Sequence, residues 1–503
     1  METELAVYDK LSEEERERRL IRSGLEADLT GGKQGSAVRG EYSETKVRVR
    51  NIGPERQTYI VCVFGLTALS LAEQGAGKGM QAVRRPFAAG ERGPLSPDSF
   101  MMSSGMQVPG RTAFSWRTRE QAGGGSGAGA GLEGGERANV GAGARTGEGT
   151  GPEAAVVLPG VLPRLGLGRA SESRGFRRLE RLAVKTLYTL GLEAGEVTLT
   201  PLGDRRFAVT GVRPIRRDES GELPEPCRTA ERMLREQHRS ELPGRPGLLM
   251  GMDPEFVLFD AEAQRVVPAS RFFPAEGIAG CDGGPPGTRG LFPVAELRPP
   301  PRAEPRALLA QLMSALRAAD NGVSDRSLSW RSGGMPLRGW SLGGHLHFSG
   351  VTLTAPLLRA LDNYLALPVA LLEDERARAR RPRYGALGDF RLQPHGGFEY
   401  RTLPSFLVSP AVARGAVALA HLIVSRYEEL ALRPLDDEPV HAAFYIGGRE
   451  PLRAAFPALA AQLRALDGYT PLARYIDPLF AHIEAGRTWD ETRDIRTAWG
   501  LVN

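Results

Sequence analysis

Lysine is nearly absent from this sequence. Five of its 65 basic residues are lysine, the rest are arginine, and no lysine lies beyond Lys185. The second half of the chain therefore has no lysine for a Schiff base, a lysyl adenylate or a phosphate-binding loop. The net charge of +5 comes from arginines interspersed with acids, not from a lysine-rich tail, so we expect no nucleic-acid partner.

Cysteine and long apolar runs are also scarce. The three cysteines, Cys62, Cys227 and Cys281, have neither the spacing of a zinc site nor that of a disulfide framework. No apolar run reaches the roughly 18 residues that a membrane-spanning helix needs. The charged, acidic N-terminus is unlike a signal peptide. We expect a protein of the reducing cytoplasm with no membrane association.

Aliphatic periodicity disappears between residues 75 and 172. In residues 123–151, 13 of 29 residues are glycine. Such a composition cannot bury enough apolar surface to offset the entropy lost on ordering. We therefore predict that 75–172 is a glycine-rich disordered linker.

The remaining chain divides into four predicted regions. Residues 1–74 have the pattern of a small N-terminal α+β region, and 173–246 that of a helix–hairpin–helix connection. Residues 247–435 form the main domain, followed by a helical extension at 436–503. The main domain alternates predicted strands, the first at about 248–260, with long predicted helices, one of them at about 355–380. This alternation is compatible with a parallel sheet, but the domain has no glycine-rich nucleotide-binding turn between strand and helix.

Polar side chains recur two residues apart within the predicted strands of the main domain. Residues i and i+2 of a strand lie on the same face. Four pairs have this spacing: Asp253 and Glu255, Glu296 and Arg298, His345 and His347, and Glu399 and Arg401. One such pair is usually a surface patch, but four in one domain indicate a shared site. Asp282, in a glycine-rich loop, is a further candidate whose role the sequence leaves open.

The residue types at these positions narrow the chemistry. Several carboxylates with one or two histidines and no cysteine suit Mg²⁺ or Mn²⁺ better than structural zinc. Arginines beside them suit phosphate or carboxylate groups, which a guanidinium binds through two hydrogen bonds. Most of the arginine run that ends at Arg383 is typical of a helix C-terminus. Arg391, in the following loop, is the better candidate for an anion contact.

At these residues the sequence resembles the phage-type carboxylate–amine ligases, relatives of glutamine synthetase and glutamate–cysteine ligase. The resemblance covers about residues 251–425 and depends on six ordered motifs: GMDPEF, VAELRPPP, GGHLHFS, LDNYLALP, YGALGDFR and FEYRTLPS. It implies an α+β fold with a glutamine-synthetase-like curved antiparallel sheet and flanking helices. It also implies that ATP and two or three Mg²⁺ or Mn²⁺ ions are held between carboxylates.

The resemblance implies a role for each matched residue. The predicted metal ligands are Asp253, Glu255, Glu296, His345 and Glu399. The arginine of the Glu-x-Arg pair, Arg401, is implied to contact the transferred phosphate. From their residue types and positions we also predict Arg391 as a contact to that phosphate, and Arg298, His347 and Arg383 as nucleotide contacts. Asp253 departs from the glutamate of better-known relatives, so its shorter side chain leaves open whether it reaches the metal directly or through water.

The implied reaction joins a small-molecule or peptide carboxylate to an amine through an acyl phosphate. The sequence is compatible with an oligomer and leaves the oligomeric state open. Two other hypotheses about the function stay open. His345 and His347 on one strand also resemble the first ligands of metal-dependent amidohydrolases, although those sites need further histidines. The chain could instead be a non-catalytic scaffold with a ligase-like fold.

Overall fold

The computed structural model describes residues 3–31, 58–75, 78–82, 174–239, 241, 244–394 and 396–502. Fourteen strands are found in these ranges: β1 Glu26–Ala27, β2 Thr58–Phe64, β3 Thr67–Gly75, β4 Lys78–Ala82, β5 Ala194–Gly203, β6 Arg206–Pro214, β7 Leu249–Asp260, β8 Arg265–Val267, β9 Ala279–Asp282, β10 Val294–Leu297, β11 Ser329–Arg331, β12 Gly344–Ser349, β13 Phe390–Leu392 and β14 Phe398–Tyr400.

The same ranges contain twelve α-helices: α1 Thr3–Lys10, α2 Glu13–Arg22, α3 Arg174–Thr189, α4 Cys227–Arg239, α5 Pro305–Gly322, α6 Ala355–Leu361, α7 Leu367–Leu372, α8 Pro410–Arg426, α9 Glu438–Ile446, α10 Arg449–Arg464, α11 Tyr469–Glu484 and α12 Ile495–Ala498. Short 3₁₀ helices lie at Ala269–Arg271, Glu375–Arg380, Phe406–Val408, Tyr427–Glu429 and Pro434–Asp436. The predicted α+β class is confirmed.

A six-stranded sheet joins the two ends of the predicted linker. Its strand order is β1-β6-β5-β2-β3-β4, and only the β1–β6 pair is parallel. Residues 1–74 and 173–246, predicted as separate regions, therefore share one sheet, with α3 packed on it. Strand β4 lies inside the predicted linker range, so the sheet extends past residue 75. The other residues of that range, 76–77 and 83–172, lie outside the described residues.

A second, eight-stranded sheet carries the predicted site. Its main order is β13-β14-β12-β7-β10-β9, with β8 and β11 also paired to β7. Every one of these pairings is antiparallel, as the family resemblance implied. The sheet is therefore not the parallel sheet with which the alternation of strands and helices was compatible. The long strand β7 agrees closely with the strand predicted at 248–260.

One hydrophobic core runs from β7 to the C-terminal helices. It contains Leu258 and Trp330 beneath the sheet, and Phe480 and Trp499 from the predicted C-terminal extension. The boundary drawn at residue 435 therefore does not separate two cores. Helix α8 packs against α11 of the extension, and Gly415 of α8 lies against Leu479 of α11.

The helix predicted at 355–380 is interrupted twice. A π-helical turn, Asp362–Ala366, lies between α6 and α7, and the Leu367 amide donates to the Asp362 carbonyl five residues earlier. Pro368 has no amide hydrogen for the usual bond to the residue four before it, which favours such a local shift. Helix α7 then ends at Glu373, whose backbone has an extended conformation. Among the described residues, Ala355–Leu372 is long and apolar enough to cross a membrane, but 94% of it is buried in the protein.

Candidate active site

Strand register brings the predicted site residues to one face of the eight-stranded sheet. On β12, His345 lies opposite Asp253 of β7. On β14, Glu399 lies opposite the second histidine, His347. On the other side of β7, Glu296 lies opposite Glu255. The pairs spaced by two residues therefore form a continuous polar stripe across four neighbouring strands.

Three of these side chains form a compact group that we call the metal cluster: Asp253, His345 and Glu399. One potential ligand atom from each lies within 4.8 Å of the other two. His345 Nδ1 is 3.0 Å from Asp253 Oδ1 and 3.3 Å from Glu399 Oε1. Glu399 is almost fully buried, with 1% of its side chain exposed. Two carboxylates this close require a cation between them.

Two buried polar atoms at the cluster have no hydrogen-bond partner. They are Asp253 Oδ1 and His347 Nε2. His347 Nε2 lies 3.0 Å from Asp253 Oδ2, and His345 Nδ1 lies equally close to Oδ1, but these approaches lack the alignment of hydrogen bonds. Buried polar atoms are normally satisfied. Open acceptor positions on carboxylate and imidazole groups fit a divalent ion, so the donor set matches the predicted metal ligands.

The electrostatics of the cluster show how far it depends on positive charge. Burial would raise the pKa of Asp253, but His345 and His347 outweigh it and hold that pKa well below its usual range. Burial would lower the pKa of His345, but Asp253 outweighs it and raises that pKa. The carboxylate thus favours the protonated form of the imidazole, which would supply a compensating charge. A bound cation would replace it and release a proton.

Glu255 and Glu296 extend the carboxylate group beyond the cluster. Burial raises the pKa of Glu255, whose Oε2 accepts a hydrogen bond from the Gly343 amide at 2.7 Å. Burial and the charge of Asp253 raise the pKa of Glu296 to about 9. These acids resist ionisation next to Asp253 unless a further cation is present, which is consistent with more than one metal ion.

Arginines surround the carboxylates, as the sequence predicted. Arg401 Nη1 donates to Glu399 Oε1, and Arg391 Nε lies 3.3 Å from Glu399 Oε2. Arg298 is similarly paired with Glu296. Gln393, which was not among the predicted site residues, donates to Glu399 Oε2 at 3.0 Å. It lies on the same side of the β13–β14 hairpin as Arg391, so alternation along the hairpin could have indicated it.

Two predicted residues lie away from the metal cluster. Arg383 lines a cavity of about 1310 Å³ next to the cluster, together with Arg391 and Arg401. Asp282 is exposed at the end of β9, and its carboxylate accepts a hydrogen bond from the Gly283 amide at 2.7 Å. The structure brings Arg383 to the edge of the site and gives Asp282 no contact with it.

Arg380 positions the segment that follows β14. Its buried guanidinium donates to the carbonyl oxygens of Thr402 at 2.8 Å, Leu403 at 2.7 Å and Arg401 at 3.3 Å. From the sequence, Arg380 was predicted to be one of the cations at a helix C-terminus, and its contacts with these carbonyl groups were not predicted. Gly385 has a positive φ of 69°, and a Cβ there would lie 2.1 Å from Arg380 Nη1, so glycine is required beside this guanidinium.

A second missed group lies directly behind the cluster. Asp362, in the π-helical turn, accepts hydrogen bonds of 2.7 Å from the hydroxyls of Tyr188 on α3 and Tyr400 on β14. Burial raises the pKa of Asp362 to about 7. Tyr400 stands between Glu399 and Arg401, so this group ties the site strand to a helix of the other sheet. No local periodicity in the sequence signals it.

Comparisons with known proteins agree with the resemblance of the motifs. The sequence model of the family described as phage phiEco32-like COOH.NH2 ligase-type 2 matches residues 250–501. No curated protein matches the chain.

Two solved structures are similar over part of the chain. A bifunctional glutathione synthetase from Pasteurella multocida has 11% identity and a TM-score of 0.32, over 51% of this chain and 52% of that one. A structure described as a novel glutamine synthase homolog has 15% identity and a TM-score of 0.26, over 59% of this chain and 79% of that one. The chain spans about half the length of the glutathione synthetase. Because both TM-scores are low, the family assignment depends on the match to the sequence model alone. That match covers half of the sequence: the chain belongs to the phage phiEco32-like COOH.NH2 ligase type 2 family.

Proposed function

We propose that this protein is an ATP-dependent carbon–nitrogen ligase that forms an amide or peptide bond through an acyl phosphate. The observation that carries the proposal is the metal cluster with Arg391 and Arg401 both bound to its glutamate, Glu399. Cations and guanidinium groups in a buried site are what the transfer of a phosphoryl group requires. ATP and a cytoplasmic location belong to the proposal, since the cytoplasm supplies both nucleotide and Mg²⁺.

The proposed reaction has two steps. A carboxylate oxygen of the acid attacks the γ-phosphorus of ATP, and the bond to the bridging oxygen breaks, releasing ADP. The amine nitrogen then attacks the acyl carbon, the carbon–oxygen bond to phosphate breaks, and the nitrogen loses a proton as the amide forms. Mg²⁺ held by the metal cluster, Glu255 and Glu296 would neutralise phosphate charge.

Arginines take the remaining positions around the transferred group. Arg401 and Arg391 would contact the phosphoryl oxygens, because both already lie against Glu399 at the cluster. We assign Arg298, His347 and Arg383 to the nucleotide. Arg380 acts through the carbonyl groups it holds and is a positioning residue.

The amidohydrolase alternative finds no support in the histidines of the described residues. Burial lowers the pKa of His421 on helix α8, and that of His441, as expected for core histidines. Neither belongs to the metal cluster. His395, the other main-domain candidate, lies outside the described residues.

An isotope experiment tests the ligase proposal. Candidate acids labelled with ¹⁸O in the carboxylate are incubated with Mg·ATP and hydroxylamine as a general amine. The proposal expects one ¹⁸O atom to appear in inorganic phosphate for each hydroxamate formed. Amide hydrolysis without ATP would favour an amidohydrolase. Absence of any ATP-dependent product across acids and amines would favour a scaffold.

A further inference from the structure

The cavity beside the metal cluster is built jointly by the two sheets. Its volume is about 1310 Å³. On one side lie helix α3 and the ends of the β2–β3 and β5–β6 hairpins, and on the other lies the β13–β14 hairpin. Arg391 and Arg401 line its inner end and contact Glu399. The cavity therefore opens onto the proposed reaction centre.

The lining of this cavity is strongly cationic. Eight arginine or lysine side chains line it, against three acids, Glu180, Glu193 and Asp389. Five of the cations make no ion pair with a carboxylate in the described part of the chain: Arg178, Arg181, Lys185, Arg205 and Arg383. A cavity with this excess of positive charge attracts an anionic ligand.

Lys185 contributes a partly buried cation to this lining. It is half-buried on helix α3 and has no hydrogen bond to a described residue. Burial lowers its pKa, and the charge of Asp389 opposes that shift in part. A partly desolvated ammonium group facing a cavity gains most when an anion enters.

The spacing of the cations on α3 favours an extended ligand. Arg177, Arg181 and Lys185 follow one another at intervals of four residues, which places them on one face of the helix about 6 Å apart. Side chains on one face of an extended peptide recur about every 7 Å. The phosphates of a nucleotide are joined through single bridging oxygens and lie much closer together, so they would reach one of these positions and not the whole row.

We propose that this cavity binds the carboxylate substrate as an acidic peptide. Its reacting carboxylate lies at Arg391 and Arg401, and further acidic side chains lie along Arg177, Arg181 and Lys185. The inference rests on the proposed ligase function and adds the class of acid. Helix α3 lies outside residues 250–501 that match the family, so this selectivity belongs to the N-terminal sheet of this chain.

Peptide binding by the full-length protein tests the inference without turnover. The probes are fluorescein-labelled hexaglutamate and hexaglutamine, followed by fluorescence anisotropy, and a fluorescent ATP analogue with Mg²⁺. The variant is Arg178→Glu/Arg181→Glu, which reverses two exposed charges in the cavity lining. The matched control is Arg306→Glu/Arg317→Glu, which reverses two exposed charges on α5, outside the lining.

We expect hexaglutamate to bind and hexaglutamine not to bind. The cavity variant should bind hexaglutamate at least about tenfold more weakly, because close opposite charges become like charges. The control variant should change that affinity by less than about twofold, since its charges are distant and screened. Affinity for the ATP analogue should be similar in all three proteins. Should the cavity variant fail to fold, Arg178→Gln/Arg181→Gln gives the same comparison with neutral side chains.

Three results would overturn the inference. Equal hexaglutamate affinity in the cavity variant and the wild type would remove α3 from the site. A parallel loss of affinity for the ATP analogue, with no peptide binding, would assign the cavity to the nucleotide. Tighter binding of a single-stranded oligonucleotide, lost in the same variant, would assign it to nucleic acid. Failure of the ligase proposal is separate: the isotope experiment would then give no labelled phosphate while hexaglutamate still bound.

Discussion

Glu399 is the residue on which the site converges. Its buried carboxylate is shared between His345, Arg391, Arg401 and Gln393. Each of its oxygens has a cationic neighbour, so the glutamate can hold a metal ion while keeping two guanidinium groups close to it. Under the proposed function, these groups would supply the charges that phosphoryl transfer needs before any substrate is bound.

Arg401→Lys separates a structural role for this residue from a chemical one. Lysine keeps the charge but loses the planar guanidinium and its second hydrogen bond. We expect turnover to fall roughly a hundredfold or more, about 3 kcal/mol, the size typical of losing one oriented donor in a transition state. ATP affinity should change by less than about tenfold. Steady-state kinetics and nucleotide titration measure the two quantities.

The control for this substitution is Arg306→Lys, at an exposed position on α5. It should leave turnover unchanged, because a surface arginine contributes little. Near-normal turnover in Arg401→Lys would leave Arg401 with only its ion pair to Glu399.

At the scale of elements, strand periodicity predicted the site more completely than the fold around it. The spacing of Asp253 and Glu255, and of His345 and His347, is a local property that fixes which face of a strand each side chain occupies. Register between strands then follows from neighbouring antiparallel pairing, and it aligned His345 with Asp253. The first step is local, which is why the candidate site residues could be chosen in advance, whereas the pairing of β7 with β12, which are distant in the chain, could not be predicted.

The contacts that hold those strands in place were not predictable in this way. Asp362 reaches Tyr188 and Tyr400 only because of a π-helical turn and a helix 174 residues earlier in the chain. Arg380 was read as one cation of a helix end, whereas extended Glu373 ends the helix before it. Such roles depend on long-range packing, for which a single sequence offers no periodic signal.

The Tyr188–Asp362–Tyr400 group gives a stability prediction at this scale. Tyr188→Phe and Tyr400→Phe each remove a buried donor to Asp362 and should each lower the free energy of unfolding by about 1–2 kcal/mol. Because both hydroxyls bind the same carboxylate, the double variant should depart from the sum of the single effects. Denaturant unfolding measures all three proteins.

Tyr384→Phe is the matched control, since this tyrosine is exposed. It should unfold like the wild type. Unchanged stability in both Tyr188→Phe and Tyr400→Phe would show that Asp362 does not depend on these hydroxyls.

At the scale of the whole molecule, the N-terminal sheet is anchored to the ligase domain through buried polar contacts. Arg19 is 3% exposed and donates to the carbonyls of Thr189 at 2.8 Å and Leu435 at 2.9 Å, and it pairs with Glu438 at 3.1 Å. One guanidinium therefore joins α2, the end of α3 and the segment that leads into α9. The site cavity lies between the regions that this contact holds together.

Arg19→Ala tests that anchoring. Removing the guanidinium leaves buried carbonyl groups without a donor, so we expect the free energy of unfolding to fall by at least about 2 kcal/mol. Arg18→Ala, at the exposed neighbouring position of the same helix, should change it by less than about 0.5 kcal/mol. Equal melting temperatures for the two variants would remove Arg19 from the set of anchoring residues.

The glycine-rich segment gives a contrasting prediction. Residues 120–152 lie outside the described residues, and their composition offers little apolar surface to bury. Deleting them should leave the melting temperature and ATP turnover nearly unchanged, because the closure entropy of a glycine-rich connection depends only weakly on its length. Differential scanning calorimetry would reveal a contrary result as a clear drop in melting temperature.

The most direct test of the central claim is Mn²⁺ binding, followed by the electron paramagnetic resonance signal of the free ion. With a non-hydrolysable ATP analogue, the wild type should remove Mn²⁺ from solution. Asp253→Asn and Glu296→Gln should each weaken binding at least about tenfold, because each loses a hard anionic oxygen ligand. Glu296→Gln should melt at or above the wild-type temperature without metal, since a neutral amide replaces a buried acid that already resists ionisation beside Asp253. Mn²⁺ affinity that is unchanged in both variants would contradict a metal site on this face of the sheet.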